Sequence, residues 1–433
     1  MEYRTLGRTG VRVSTYALGT MMFGSDGNPD EKECIEIVHA ALDAGINLID
    51  TADTYSHGEA EAIVGKAIAG HRDEIVLSTK VRLRAGDGPN EQGASRLWIM
   101  RQVEASLKRL RTDHIDLYQI HRPDLDTDLE ETLDVLTDLV RDGKIRYFGC
   151  SMFPAWYQAQ AHSISAQRGL KRFVSETSPY SIFVRSIEID VLPAVQAFGM
   201  GLLAWSPLNG GWLTGKYRRD AAVPTDSRAG LVKGQWGEHY PILRTRFDLS
   251  RPGNQRKLDM IEQLSSIASK AGMSLAQMAL AFPLAHPGVT GVNFGVRNMR
   301  QFTDAKAGFG TRLTDDVLNA IDACNPPGSI VDEADRGWIM PWMAPEARRR
   351  QASPGRVDTE TGKAQRSTHR RRGGDGSAHC DDCERPNTRA ANARSEAAAR
   401  AAANAVVRSG PAAAVNGNAV SDAVCPVDEL PED

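Results

Sequence analysis

Asp50, Tyr55, Lys80 and His121 set a carboxylate, a phenol, an ammonium and an imidazole at the ends of apolar, strand-like runs. Asp50 and Tyr55 close the run 46–55, Lys80 closes 75–80, and His121 closes 115–121. A free phenol, with a pKa of ~10, is too weak an acid to protonate a carbonyl readily at neutral pH. An adjacent ammonium favours the phenolate and eases release of the proton. Lys80 is the residue to supply that charge, Asp50 to anchor the lysine, and His121 to donate a hydrogen bond to a substrate oxygen. A positioned proton donor contributes roughly 10²–10⁴-fold in rate, and oriented donors stabilise a developing alkoxide further. Taken singly, each residue has a plainer reading, since strand-end tyrosines pack and strand-end lysines snorkel to water. Four such groups at one rim point to an enzyme that delivers protons. Asp53 and Asp116 are decoys: the first lies beside the site, the second inside its strand run.

Groups so far apart in the chain meet only where a fold gathers strand ends. Strand-like runs rich in Ile, Val, Leu, Tyr and Phe occur at 16–21, 46–52, 74–80, 115–121, 145–151, 173–178, 201–206 and 290–295. Segments of helical period separate them, at 33–44, 59–69, 96–110, 128–142, 154–168 and 188–198. Eight strands alternating with helices predict an α/β protein with a (β/α)8 TIM barrel, whose chemistry gathers at the carboxyl ends of the strands. Residues 2–14, with Gly7 and Gly10 between β-prone pieces, predict an N-terminal hairpin closing the barrel bottom. The long connection 207–256, rich in Gly, Arg and Trp, reads as a lid or binding loop. Ser274 and Gln277 form a capping-box pattern opening a helix before the last strand.

The chain divides into a barrel, 1–345, and a low-complexity tail, 346–433. The tail carries the basic triplets Arg348–Arg350 and Arg370–Arg372, an Ala-rich stretch at 389–415 and an acidic end. Such composition cannot bury a core and predicts disorder. A net charge of −3 gives no footprint for nucleic acid or an anionic membrane. The start has no apolar signal region, and no run approaches the ~20 apolar residues of a membrane span. Six scattered cysteines make no disulfide framework. A cytoplasmic enzyme is the expectation. The Gly210–Lys216 stretch imitates a phosphate loop, but Tyr217 stands where Ser or Thr would hold Mg²⁺. His379, Cys380 and Cys383 lack a second cysteine pair, so no metal site is expected.

Five stretches together resemble the aldo-keto reductase superfamily, in the bacterial branch related to voltage-gated potassium channel β subunits. They are Asn47–Tyr55, Gln119–Asp124, Gly143–Ser151, Trp205–Leu208 and Leu213–Tyr217. The resemblance covers about residues 1–345. It implies that Asp50, Tyr55, Lys80 and His121 form the active site and that NADPH delivers hydride. It further implies that Ser151 holds the nicotinamide amide and Trp205 stacks on the ring. Ser206, Leu208 and Gly210 would line the pyrophosphate. Gly295, Val296, Arg297, Arg300 and Gln301 would hold the adenosine phosphate, where a guanidinium pairs with a 2′-phosphate and favours NADPH over NADH. Four positions depart from the pattern: Met152 for Asn, Thr177 for Gln, Arg300 for an acidic residue and Ala305 for Asn. These changes bear on cofactor affinity and leave the four catalytic positions untouched. The resemblance implies reduction of an aldehyde or ketone, a small-molecule carbonyl, to an alcohol. Relatives with a double-bond reductase activity carry Glu at the histidine position, so His121 favours the carbonyl. The alternative is a cofactor-binding sensor of the same fold with little turnover. Pocket walls are expected from Met22–Phe23, Val81–Gly93, Phe153 and 210–245.

Overall fold

Apolar strands with no polar face can be stable only when both sides are covered, and a closed parallel barrel wrapped by helices does this. The structure, a computed structural model, describes residues 1–219, 221–232 and 241–348. Eight parallel strands close into a barrel: β3 (Tyr16–Gly19), β4 (Leu48–Asp50), β5 (Val76–Val81), β6 (Ile115–Ile120), β7 (Ile145–Ser151), β8 (Ser175–Pro179), β9 (Gly201–Trp205) and β10 (Val289–Gly295). Strand β10 pairs with both β3 and β9, which completes the ring. All eight predicted strands are present. The predicted run 46–55 is corrected, however: only Leu48–Asp50 is strand, and Tyr55 begins a 3₁₀ turn.

Helices α1 (Glu31–Asp43), α2 (Glu59–Ala67), α3 (Arg96–Leu110), α4 (Leu129–Arg141), α5 (Ala155–Arg168) and α6 (Val191–Phe198) follow the strands in turn. Their starts are set by caps: Asp30, Ser95 and Asp128 each accept main-chain N–H bonds from the first turn. Gly169 and Gly199 end α5 and α6 in the left-handed conformation. The Ser274–Gln277 capping box forms as predicted.

The N-terminal hairpin pairs β1 (Tyr3–Thr5) with β2 (Arg12–Ser14). Leu6 and Val13 pack with Ala17, Leu48, Leu117, Val174 and Leu203, sealing the end opposite the strand carboxyl ends. Phe23 and Phe153, expected as pocket walls, are 0% and 1% exposed and belong to the core. Inside the barrel, Gly149 is required by crowding: a Cβ there would come within 2.2 Å of Ser175 Oγ. The connection 207–256 contains short helices at Arg228–Val232 and Pro241–Thr245, and the long helix Pro252–Lys270 begins within it. A last helical turn spans Pro345–Arg348. The rest of the predicted tail, with His379, Cys380 and Cys383, lies outside the described residues. No helix among the described residues is long and apolar enough to cross a membrane.

Candidate active site

Asp50 ends β4, Lys80 lies one residue short of the end of β5, and His121 follows β6 directly, so three neighbouring strands deliver three groups to one rim. Lys80 Nζ donates to Asp50 Oδ2 at 2.5 Å and to the Thr51 carbonyl at 2.7 Å. It also lies 3.4 Å from Tyr55 Oη. Burial pulls the lysine pKa down, but Asp50 and Tyr55 outweigh it and hold the value above the usual lysine range. The ammonium is therefore fixed as a cation between a carboxylate and a phenol.

Asp50 is held from three further sides. Its Oδ1 accepts from Ser78 Oγ at 2.9 Å and Gln119 Nε2 at 3.2 Å, and its Oδ2 from Asn293 Nδ2 at 2.6 Å. Gln119 is oriented in turn by Thr177, whose hydroxyl donates to Gln119 Oε1 at 2.6 Å. These buried donors face the barrel interior and give the carboxylate no freedom to rotate away. Because such partners come from β5, β6, β8 and β10, no local motif announces them.

Tyr55 reaches the site from a tight turn. Ser56, His57 and Gly58 take left-handed φ values of 46°, 56° and 94° in succession. Ser56 Oγ ties that turn to the Phe23 carbonyl at 2.6 Å. Gly58 faces Arg109, where a Cβ would lie 2.9 Å from Cδ. The rings of Tyr55 and His121 are 6.0 Å apart and nearly perpendicular. His121 is buried, and burial together with Arg122, Lys80 and Arg82 pushes its pKa well below the usual histidine range. A neutral imidazole results, with Nδ1 buried and without a hydrogen-bond partner among the described residues.

Asp53 and Asp116 are outside this constellation. The Asp53 carboxyl is buried near Glu61 and Arg109, and burial holds its pKa well above the carboxylate range. Asp116 pairs with Arg72 at 2.8 Å and accepts from the Leu77 N–H. Its role is to bind strands.

The predicted cofactor residues line an arc from β7 to the segment after β10. Ser151 Oγ donates to the Thr177 carbonyl at 2.8 Å and accepts from Arg122 Nη1 at 3.3 Å. At Thr177, where the resemblance expects glutamine, the hydroxyl donates to Gln119 Oε1 at 2.6 Å. Met152 takes φ 62°, with its N–H held by Glu176 Oε1 at 2.7 Å. Trp205 ends β9 half-buried, with Gly337 against its ring. Ser206, Asn209, Gly210 and Gly211 have φ values of 59°, 48°, 68° and 95°, a curled backbone able to approach an anion closely. Leu208 accepts the Gly211 and Leu213 N–H bonds that fix this curl.

Beyond β10, Gly295 and Val296 lead to Arg297, whose N–H donates to Gln301 Oε1 at 2.9 Å. Arg297 donates to the Asp226 carbonyl and Arg300 pairs with the Asp226 carboxylate at 3.2 Å. Burial lowers the Lys216 pKa, Asp226 opposes that shift, and Arg297 and Arg300 reinforce it. Lys216 therefore joins the same cationic cluster. Burial and then Arg246 lower the pKa of Arg228, on the long connection, to about 10, and Tyr217 and Tyr55 oppose the shift. Neither Lys216 nor Arg228 was singled out from sequence, although Lys216 lies inside the Leu213–Tyr217 motif. A curled, glycine-rich backbone beside several cations, with an indole at the other end, fits a phosphate-bearing nicotinamide dinucleotide.

Comparison with known proteins decides the family. Residues 16–326 match the Aldo/keto reductase family. The chain belongs to that family. It is 37% identical over 347 residues to a Bacillus subtilis protein named uncharacterized oxidoreductase YrpG, covering 77% of this chain and 99% of that one. It is 35% identical over 330 residues to a probable voltage-gated potassium channel subunit beta of Oryza sativa, covering 75% and 96%. A putative subunit of the same kind from Schizosaccharomyces pombe is 36% identical over 332 residues, covering 74% and 92%. Membership supports an oxidoreductase and agrees with the closed barrel.

Proposed function

We propose that this aldo/keto reductase is an NADPH-dependent enzyme that reduces an aldehyde or ketone to an alcohol in the cytoplasm. The observation that carries the reading is the Lys80 ammonium standing between Asp50 and Tyr55. Bound NADPH would supply hydride to the carbonyl carbon. As that carbon accepts the electron pair, the carbonyl π bond opens and its oxygen takes the proton from Tyr55 Oη. Lys80 stabilises the phenolate left on Tyr55, and Asp50 keeps Lys80 in reach. His121, neutral and buried, donates a hydrogen bond that orients the carbonyl oxygen.

Ser151, Trp205, Ser206, Leu208, Gly210, Gly295, Val296, Arg297, Arg300 and Gln301 are the residues proposed to hold the dinucleotide, with Lys216 and Arg228 added. Arg297 and Arg300 would exchange their contacts with Asp226 for a 2′-phosphate, with the Lys216 charge adding to the field, which supports NADPH over NADH.

A second reading, a cofactor sensor with little turnover, draws on Met152 and on Thr177 being turned toward Gln119. It also draws on relatives named as channel subunits. Steady-state oxidation of NADPH with 4-nitrobenzaldehyde separates the two. The reductase reading expects sustained turnover; tight NADPH binding with no turnover across a carbonyl panel favours the sensor.

A further inference from the structure

Two arginines stand at the strand ends next to Lys80 and His121. Arg82 follows β5 and Arg122 follows His121, so both leave the barrel at the rim that carries Lys80 and His121. Arg82 holds φ 120°, a backbone conformation that non-glycine residues rarely adopt and that concentrates at functional sites. Its Nε is buried without a hydrogen-bond partner, and its Nη2 stands 3.7 Å from Asp124 Oδ1. Asp124 is already engaged, accepting from the Ala94 N–H at 2.7 Å and Thr127 Oγ1 at 2.8 Å.

Among the described residues Arg122 hydrogen-bonds neutral acceptors, the His121 carbonyl and Ser151 Oγ. Burial first, then Arg122, Lys80 and Arg82, hold His121 neutral; burial also lowers the Arg122 pKa to about 10, with Tyr55 and Glu176 opposing the shift and Arg82 reinforcing it. With Asp124 shared among other donors and Arg122 bonded to neutral oxygens, the two side chains keep guanidinium donors at this rim that suit an added anion. A guanidinium suits a carboxylate better than any other side chain, because its forked donors match both oxygens.

We propose that Arg82 and Arg122 form an anion subsite, so that the preferred substrates are carbonyl compounds bearing a carboxylate near the reacting carbon. This deepens the reductase reading and rests on it. The subsite contributes affinity and orientation, and the hydride and proton transfers are unchanged. The donors at Tyr55 and His121 then serve the carbonyl end of the substrate, and the guanidinium pair the other.

The test compares 4-formylbenzoate with its methyl ester, and 4-oxobutanoate with its methyl ester, under saturating NADPH. Wild-type enzyme is expected to favour each acid over its ester by roughly 10-fold or more in kcat/KM, the size of a charge-assisted pair. In Arg82→Gln and Arg122→Gln the acid-to-ester ratio should fall toward one, mainly through KM, and Arg122→Lys should restore part of it. A ratio near one in the wild type, or one unchanged in both Gln variants, overturns the proposal. So does a loss of NADPH affinity in Arg122→Gln that lowers acid and ester equally. Binding of benzoate to the NADPH complex, read by nicotinamide fluorescence, stands apart from turnover. If no carbonyl is reduced but benzoate binds and the Gln variants abolish it, the subsite holds and the reductase reading fails. If benzoate does not bind either, the subsite falls as well.

Discussion

Lys80 Nζ stands 2.5 Å from Asp50 Oδ2, with both side chains buried inside the barrel rim. A pair so placed is worth less for net stability than for what it fixes in space, since desolvation offsets much of the attraction. Removing one partner is different, because it leaves the other charged and uncompensated.

Asp50→Asn should therefore lower unfolding free energy by about 3–5 kcal/mol. Denaturant titration against the wild type checks this, and an unchanged midpoint would show that the ammonium does not depend on Asp50. The sign of the pH effect follows from the raised pKa of Lys80. Stability from the pair is fully present below the free-lysine value of ~10.4 and is lost only as pH rises through the higher folded value.

His121 should remain neutral well below pH 6.5, because burial, Arg122, Lys80 and Arg82 all disfavour its charge. Below that pH the unfolded chain binds a proton that the folded chain refuses, so stability falls as the solution is acidified. His121→Gln should flatten this part of the stability profile. An imidazole NMR titration with a midpoint near 6.5 would contradict the assignment.

The barrel was legible because its strands carry the apolar runs that two-sided burial demands, and β7 matched its predicted span of 145–151. Helix α3 likewise matched 96–110, where Ser95 caps its start. The site was legible as a set of strand-end residues, with one difference. Tyr55 lies on a turn of three consecutive left-handed residues, and only Gly58 advertises such a backbone. Ser78 and Asn293 escaped notice, and Gln119 was quoted in a motif without a role, because polar residues that face a barrel interior have no periodic or short-range signature. The roles proposed for Arg82, Arg122, Lys216 and Arg228 depend on where separate loops meet, which spacing along the chain does not encode.

Met152→Asn should tighten NADPH binding. Met152 holds φ 62°, a conformation Asn tolerates better than Met, and an amide there would offer the nicotinamide the partner it lacks. One added hydrogen bond corresponds to roughly 2–10-fold in Kd. Isothermal titration measures it, and weaker binding by the Asn variant would argue that the nicotinamide does not sit beside residue 152.

The long connection is expected to close over bound NADPH. Its Val232 packs with Met22 at the barrel mouth, and Asp226 reaches Arg297 and Arg300 across the β10 side. NADPH should slow limited proteolysis within 207–256 by several-fold. Equal cleavage with and without cofactor would count against a lid.

Tyr55→Phe probes the proton donor itself, since it deletes one oxygen 3.4 Å from Lys80 Nζ and keeps the ring. With NADPH affinity followed by quenching of tryptophan fluorescence, kcat for carbonyl reduction is expected to fall roughly 10²–10⁴-fold at unchanged affinity. A variant that binds NADPH normally and keeps near-wild-type kcat would contradict the account.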